Sequence, residues 1–286
     1  MSFEHEFPLK DDIIYLNHAA VSPWPKRTVD AVEQFAIENG HQGSLAYPQW
    51  LQTEQSLREQ LRSLINAPSS DDIALVKNTS EALSFVANGL TWATGDNIIT
   101  SNEEFPSNRI VWESLESAGV ELRQADLSAA NTPEDALFDL VDGKTRLITI
   151  SSVQYASGLR VDLERIGRFC RDNNILFCVD AIQSIGAIPL DVQACHADFV
   201  AADGHKWMMG PEGLGVFYCA AALRDQLKLT QFGWHMVQSI GDFDQNEWQP
   251  IEDYIKSHSE ADFSHGICPV CAHRLYPDVF PDNPEE

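Results

Sequence analysis

Residues 197–219 read ADFVAADGHKWMMGPEGLGVFYC. An apolar run leads into Asp203-Gly204-His205-Lys206, passes Trp207 and two methionines, turns through glycines and enters a second apolar run at 214–219. Runs that are apolar at successive positions belong to strands buried on both faces. Lysine is mostly a surface residue, yet this one stands between a buried strand and an aromatic and methionine stretch. Burial there would lower its pKa, and a neutral lysine amine is the nucleophile of Schiff-base chemistry. The plainer alternative is a strand-end lysine that lays its stem on apolar surface and keeps its ammonium in water.

Outward from this stretch, the same pattern recurs. Short apolar runs IALVK (73–77), NIITS (97–101), VELRQA (120–125), RLITISSV (146–153), LFCVD (176–180), DFVAA (198–202) and LGVFYC (214–219) read as strands. Amphipathic stretches separate several of them, such as SEALSFVANGL after Asn78 and LERIGRFCRDNN after Asp162, with Gly95, Gly119, Gly158 and Gly186 at the joints. Strands alternating with helices predict an α/β fold, a mostly parallel seven-stranded sheet with helices on both faces. The expected organisation is an N-terminal segment (1–24), one large domain with a helical lead-in (25–248), and an acidic tail with a CxxC (249–286).

Three further strand exits carry chemistry. Asp180 ends an apolar strand, where an acid needs a cationic partner or its burial is costly. A protonated pyridine nitrogen would serve, the pairing by which a protein makes pyridoxal phosphate (PLP) an electron sink, and Gln183 could then donate to the ring oxygen. Asp180 would also fit as a helix N-cap. Thr79 and Ser80 open a helix after Asn78, a place where free N–H groups and hydroxyls suit a phosphate or simply cap the helix. Phe105 follows NIITS and could stack on a planar ring or fill core. In open α/β sheets ligands sit beyond the carboxyl ends of the strands, where Asn78, Asp180 and Lys206 all fall.

Composition narrows the partners. The formal net charge of −24 argues against nucleic acid, whose binding needs clustered Lys and Arg. The N-terminus is acidic early, unlike a signal peptide, and no run approaches a membrane span. Cysteines at 170, 178, 195 and 219 sit in or beside apolar segments, which suits buried thiols in a reducing cytosol. A cytoplasmic location is the expectation.

Taken together, YLNHAA (15–20), NTSEAL (78–83), EEFPSN (103–108), SSVQYASG (151–158), VDAIQSIG (179–186) and DGHKWMMGPEGLGVFY (203–218) resemble the aminotransferase class V group of PLP enzymes. That group has the fold-type-I architecture and includes cysteine desulfurases, selenocysteine lyases, kynureninases and isopenicillin N epimerase-like proteins. The resemblance implies that Lys206 forms the internal aldimine and moves protons at the substrate Cα. It implies that Asp180 pairs the pyridine nitrogen and Gln183 contacts the ring oxygen. Thr79 and Ser80 would bind phosphate, joined by His205 and Asp203. Phe105 takes the stacking position, Tyr155 falls near a cofactor-facing asparagine of the desulfurases, and Asn17 and His18 approach the substrate. C–S or C–Se cleavage on a small amino acid is the expected reaction, with epimerase-like racemisation or transamination as alternatives. A homodimer is the expected assembly.

The resemblance covers roughly residues 13–248. The family's smaller C-terminal domain, which supplies the arginine for the substrate carboxylate and the mobile cysteine of desulfurases, finds no match in 249–286. A catalytically impaired PLP-fold protein or interaction module is therefore the reading from a different class. The tail carries His265, Cys268, Cys271 and His273. A CxxC flanked by histidines is a weak zinc pattern, and the expectation is no bound metal. The segment is similar to the SHGICPxC tails that end some bacterial PAS and sensor proteins.

Overall fold

A computed structural model describes residues 3–233. These fall into two units, residues 3–45 with 57–228 and residues 46–56 with 229–233. The first unit holds the whole sheet and every element discussed below. Its lead-in contains helix α1 (Lys26–Gln42) and, from residue 57, the later turns of α2 (Tyr47–Leu64).

Seven strands form one sheet: β1 (Ile73–Val76), β2 (Asn97–Ser101), β3 (Glu121–Ala125), β4 (Thr145–Ser151), β5 (Leu176–Asp180), β6 (Phe199–Asp203) and β7 (Gly215–Cys219). Their order is β1-β7-β6-β5-β4-β2-β3. β7 alone runs antiparallel to its neighbours β1 and β6, while the other pairings are parallel. The expected sheet is present, with one informative difference in bounds. The run 146–153 leaves the sheet after Ser151, because Val153 turns back to bridge Arg160.

Successive residues of the central strands point to opposite faces, and both faces are apolar. Ile148, Phe177, Val179 and Val200 pack on one side with Ile166 and Cys170 of α6 (Leu163–Asp172) and with Ala136 and Leu137 of α5 (Pro133–Phe138). Leu147, Cys178, Phe199 and Phe217 pack on the other with Leu83 and Val86 of α3 (Thr79–Gly89) and Trp112 of α4 (Ser107–Glu113). Each such side chain contributes roughly 1.5–3 kcal/mol relative to exposure. Local signals start the helices: Asn78 Oδ1 accepts from Glu81 N–H at 2.9 Å, and Asp162 Oδ1 from Arg165 N–H at 2.9 Å.

The parallel strands β2, β4, β5 and β6 end on one edge of the sheet, and β1 ends there too. Val76 and Asp203 both face Gly215 across β7, so the exits of β1 and β6 flank the start of β7. One glycine keeps this edge close-packed. Gly186 has φ +98°, and a Cβ there would lie 2.3 Å from the Trp207 carbonyl oxygen.

Candidate active site

At the β1 exit the chain turns into α3, and Thr79 is buried at the helix start. Its Oγ1 is shielded from solvent and has no hydrogen-bond partner. Ser80 Oγ donates to Ser107 Oγ at 3.0 Å. Across β7, Asp203 ends β6 and lies 3.3 Å from His205 Nδ1. That contact is ionic in range, yet neither atom makes a hydrogen bond of good geometry. Three buried polar groups at adjoining strand exits are thus unsatisfied by the protein. Buried polar atoms are nearly always paired, so a cluster of orphans marks a place for a polar ligand.

Lys206 follows on the β6 exit and is 8% exposed. Burial lowers its pKa, and the carboxylates of Asp180 and Asp203 pull in the other direction. Its ammonium makes no ion pair with a described carboxylate, and Nζ stands 5.6 Å from the centre of the Phe105 ring. The turn that carries it is closed by Met209 N–H to the Lys206 carbonyl at 3.0 Å. Met209 itself has φ +56°, a left-handed conformation that a residue with a Cβ adopts only under constraint.

Asp180 closes β5 and is 1% exposed. Its Oδ1 accepts from Ile182 N–H at 3.1 Å. Burial pushes its pKa up to about 7, helped by the carboxylates of Glu104 and Asp203 and opposed by Ile182 N–H and Lys206. Such a carboxyl awaits a cation. A buried acid, a buried amine and unpaired hydroxyl and imidazole groups thus share one edge of the sheet.

The aminotransferase class-V family model matches residues 14–257. This chain belongs to the aminotransferase class-V family. A probable cysteine desulfurase of Methanothermobacter thermautotrophicus is 37% identical over 243 residues, covering 83% of this chain and 60% of that protein. An apo cysteine desulfurase from Thermococcus onnurineus NA1 superposes with a TM-score of 0.73 at 28% identity, over 87% of this chain and 64% of that one. A C-DES lysine-to-alanine variant with glycine covalently linked to its PLP cofactor shares the fold, with a TM-score of 0.78 at 24% identity, over 92% and 70% of the two chains. The chain spans about 60% of the length of the curated relatives it matches.

The remaining expected residues lie along the same edge. Phe105 and Tyr155 meet edge to face, with ring centres 5.2 Å apart, and both are exposed on the outer side. Gln183 is tied up more than expected: Nε2 donates to the Ala19 carbonyl at 2.9 Å, and Oε1 accepts from Trp207 Nε1 at 3.0 Å. The amide retains one free N–H, so contact with a ring oxygen stays open to it. The segment of Asn17 and His18 lies over the same edge. His18 stacks on Trp207 at 5.6 Å, Ser22 N–H donates to the His205 carbonyl, and Asn17 itself is exposed.

Sequence reasoning gave no role to Trp207, Gln154 or Glu104, although each lies inside a motif it singled out. Glu104 is buried and accepts from Ser151 N–H and Gln154 Nε2 at 2.8 Å, Asn108 Nδ2 at 2.9 Å and Ser151 Oγ at 2.5 Å. The residue before an expected stacking phenylalanine was the available signal. A cavity of about 540 Å³ lined by Arg160, Asp162, Asp191 and Cys195 contains none of the candidate residues, and shape alone does not outweigh the chemistry gathered around Lys206.

The cysteines at 170, 178, 195 and 219 are unpaired and buried. Burial pushes every one of these thiols up, to about 11 at Cys195 and about 12 at Cys219, so none is a ready nucleophile. Among the described residues no cluster of His, Cys, Asp and Glu could hold a metal ion. The zinc reading of His265, Cys268, Cys271 and His273 lies outside the described residues. Among the described residues no helix is long and apolar enough to cross a membrane.

Proposed function

We propose that this chain is the large domain of a PLP-dependent enzyme of cysteine desulfurase type, acting on a small amino acid. The observation that carries the reading is the pairing of a buried Lys206, its pKa lowered by burial, with a buried Asp180 that lacks a described cationic ion-pair partner. The names of the relatives support the desulfurase choice. The residues fit the cofactor. Lys206 would hold it covalently, Asp180 would face its ring nitrogen, and Phe105 would lie against its ring. Thr79, with its orphaned hydroxyl, would take the phosphate beside Ser80 and His205. Asp203 offers acceptors only, so it would face the His205 ring, 3.3 Å away, rather than contact phosphate.

When bound, PLP supplies an electron sink for the pair left at the substrate Cα. The chain's own residues do the rest. Burial favours the neutral amine of Lys206, the form in which Nζ would accept the Cα proton and return it. Asp180 would face the ring nitrogen with a negative charge, and its low-dielectric surroundings would strengthen that interaction. The Phe105 ring stands 5.6 Å from the amine and meets Tyr155 edge to face. The homodimer belongs to the same proposal, and sedimentation analysis would report it.

Absorption spectra of the purified protein with added PLP, beside Lys206→Ala, test the proposal, followed by borohydride reduction and mass mapping. The expected result is a lysine-dependent visible band, a reduced adduct on Lys206, and alanine from cysteine, the sulfur appearing as sulfide when an added thiol reductant supplies the two electrons. A wild-type spectrum indistinguishable from that of Lys206→Ala would overturn it.

A further inference from the structure

Glu104 does more than finish a hydrogen-bond network. It sits at the β2 exit, and its carboxylate collects donors from Ser151 at the end of β4, from Gln154 three residues on, and from Asn108 at the start of α4. Asn108 Oδ1 is held in turn by Trp112 Nε1 at 2.9 Å and Thr149 Oγ1 at 2.7 Å. Two consequences follow from chain connectivity. Phe105 directly follows Glu104 and Tyr155 directly follows Gln154, so the 2.8 Å Gln154–Glu104 bond lies behind the Phe105–Tyr155 ring contact. Ser151 is also the register partner of Asp180 across β4 and β5. The Glu104 charge is therefore fixed one strand away from the Asp180 carboxyl.

We propose that Glu104 is a positioning residue of the site, which clamps the Phe105–Tyr155 wall beside Lys206 and loads a second negative charge behind Asp180. Asp180 then remains reluctant to ionise until a cation faces it, which tunes the site towards a protonated ring nitrogen. The charged groups facing Asp180 are Glu104 from the β2 exit and Asp203 and Lys206 from the β6 exit, with the Cys178 thiol on its own strand. Glu104 is the largest of these influences after burial itself. The inference rests on the proposed function only in taking this edge as the site, and its test needs no cofactor.

The test is NMR on the full chain without PLP, carrying carboxyl-labelled aspartate and labelled aromatic rings, with Asp180→Asn to assign the Asp180 signal. In the parent protein that signal is expected to titrate near 7. Glu104→Gln removes the charge and keeps the length, so the Asp180 midpoint should move down by about one pH unit or more while the Phe105–Tyr155 contact persists. Glu104→Asp keeps the charge and withdraws it, so the midpoint should stay high while that contact is lost. A purely structural role would move both readouts together in both variants. An unchanged Asp180 midpoint in Glu104→Gln, or an intact ring contact in Glu104→Asp, would overturn the proposal. Failure to bind PLP would sink the proposed function and leave this pattern standing.

Discussion

The two edges of the sheet treat aspartate in opposite ways. At the amino edge Asp142 accepts from Lys144 N–H at 2.8 Å, from Asn97 Nδ2 at 2.8 Å and from Arg123 Nη1 at 2.7 Å. These donors hold its carboxyl down at about 2. At the carboxyl edge Asp180 receives one backbone N–H, faces two other carboxylates and is pushed up to about 7. Asn97 and Thr145 complete the first network, with Thr145 Oγ1 donating to Asn97 Oδ1 at 2.8 Å. Thr79, Asp203 and His205 leave the second one open. One edge is satisfied by the protein's own groups, whereas the other leaves buried polar atoms without a protein partner.

The strongest way to break this comparison acts on Lys206. Lys206→Ala should reduce turnover of cysteine by the PLP-loaded protein on the order of 10³-fold or more, measured as alanine formed. Retention of most activity would remove the carboxyl edge from the reaction.

Next in size is the pH dependence of stability without cofactor. A carboxyl whose folded pKa is raised penalises the folded state as pH climbs from its unfolded value near 4 through about 7. Asp180→Asn should therefore be more stable than the parent at pH 8, on the order of 3 kcal/mol, with the difference fading below pH 4. At Asp142 the sign reverses. Its lowered pKa stabilises the fold above about pH 4 and that gain disappears as pH falls towards 2, so Asp142→Asn should be destabilised at pH 7 and not in strong acid. Urea titrations across pH check both, and parallel curves for the two variants would contradict the contrast.

A smaller effect belongs to the finished edge. Asn97→Ala leaves the Thr145 hydroxyl and Asp142 without their buried partner and should cost about 1–3 kcal/mol by chemical denaturation. Thr79→Val at the open edge should change stability by less than about 1 kcal/mol, because its hydroxyl bonds to nothing. The same variant should weaken PLP about 10- to 150-fold, read by fluorescence titration as the loss of one hydrogen bond to a charged group. A large stability loss with unchanged PLP affinity would reverse the assignment of Thr79.

Much of this was legible beforehand, and the reasons differ by residue. The seven strands were readable because a strand buried on both faces writes consecutive apolar residues into the chain, as in LFCVD and NIITS. Lys206, Asp180 and Thr79 were readable because each stands where such a run stops. The end of β4 was misjudged by two residues, since RLITISSV stays apolar enough for a strand while Val153 pairs with Arg160 instead. Gln183 was legible as a residue just past a strand exit, but not its tie to Ala19, a partner 164 positions away. Glu104 was invisible as a hub because most of its donors, on Ser151 and Gln154, lie 47 to 50 residues downstream, and Asn108 alone is near in sequence.

What the amino-acid sequence determined by itself is the order of elements and which residues arrive at strand ends. Both follow from local rules of patterning, capping and turn chemistry, which act over a few neighbouring positions. Only the tertiary structure decided which of those ends share an edge and what each carboxylate meets there. Desolvation and Coulomb interactions add up over neighbours from different strands. Asp142 and Asp180 are the same residue type, and their opposite behaviour is set by the partners folding brings to each.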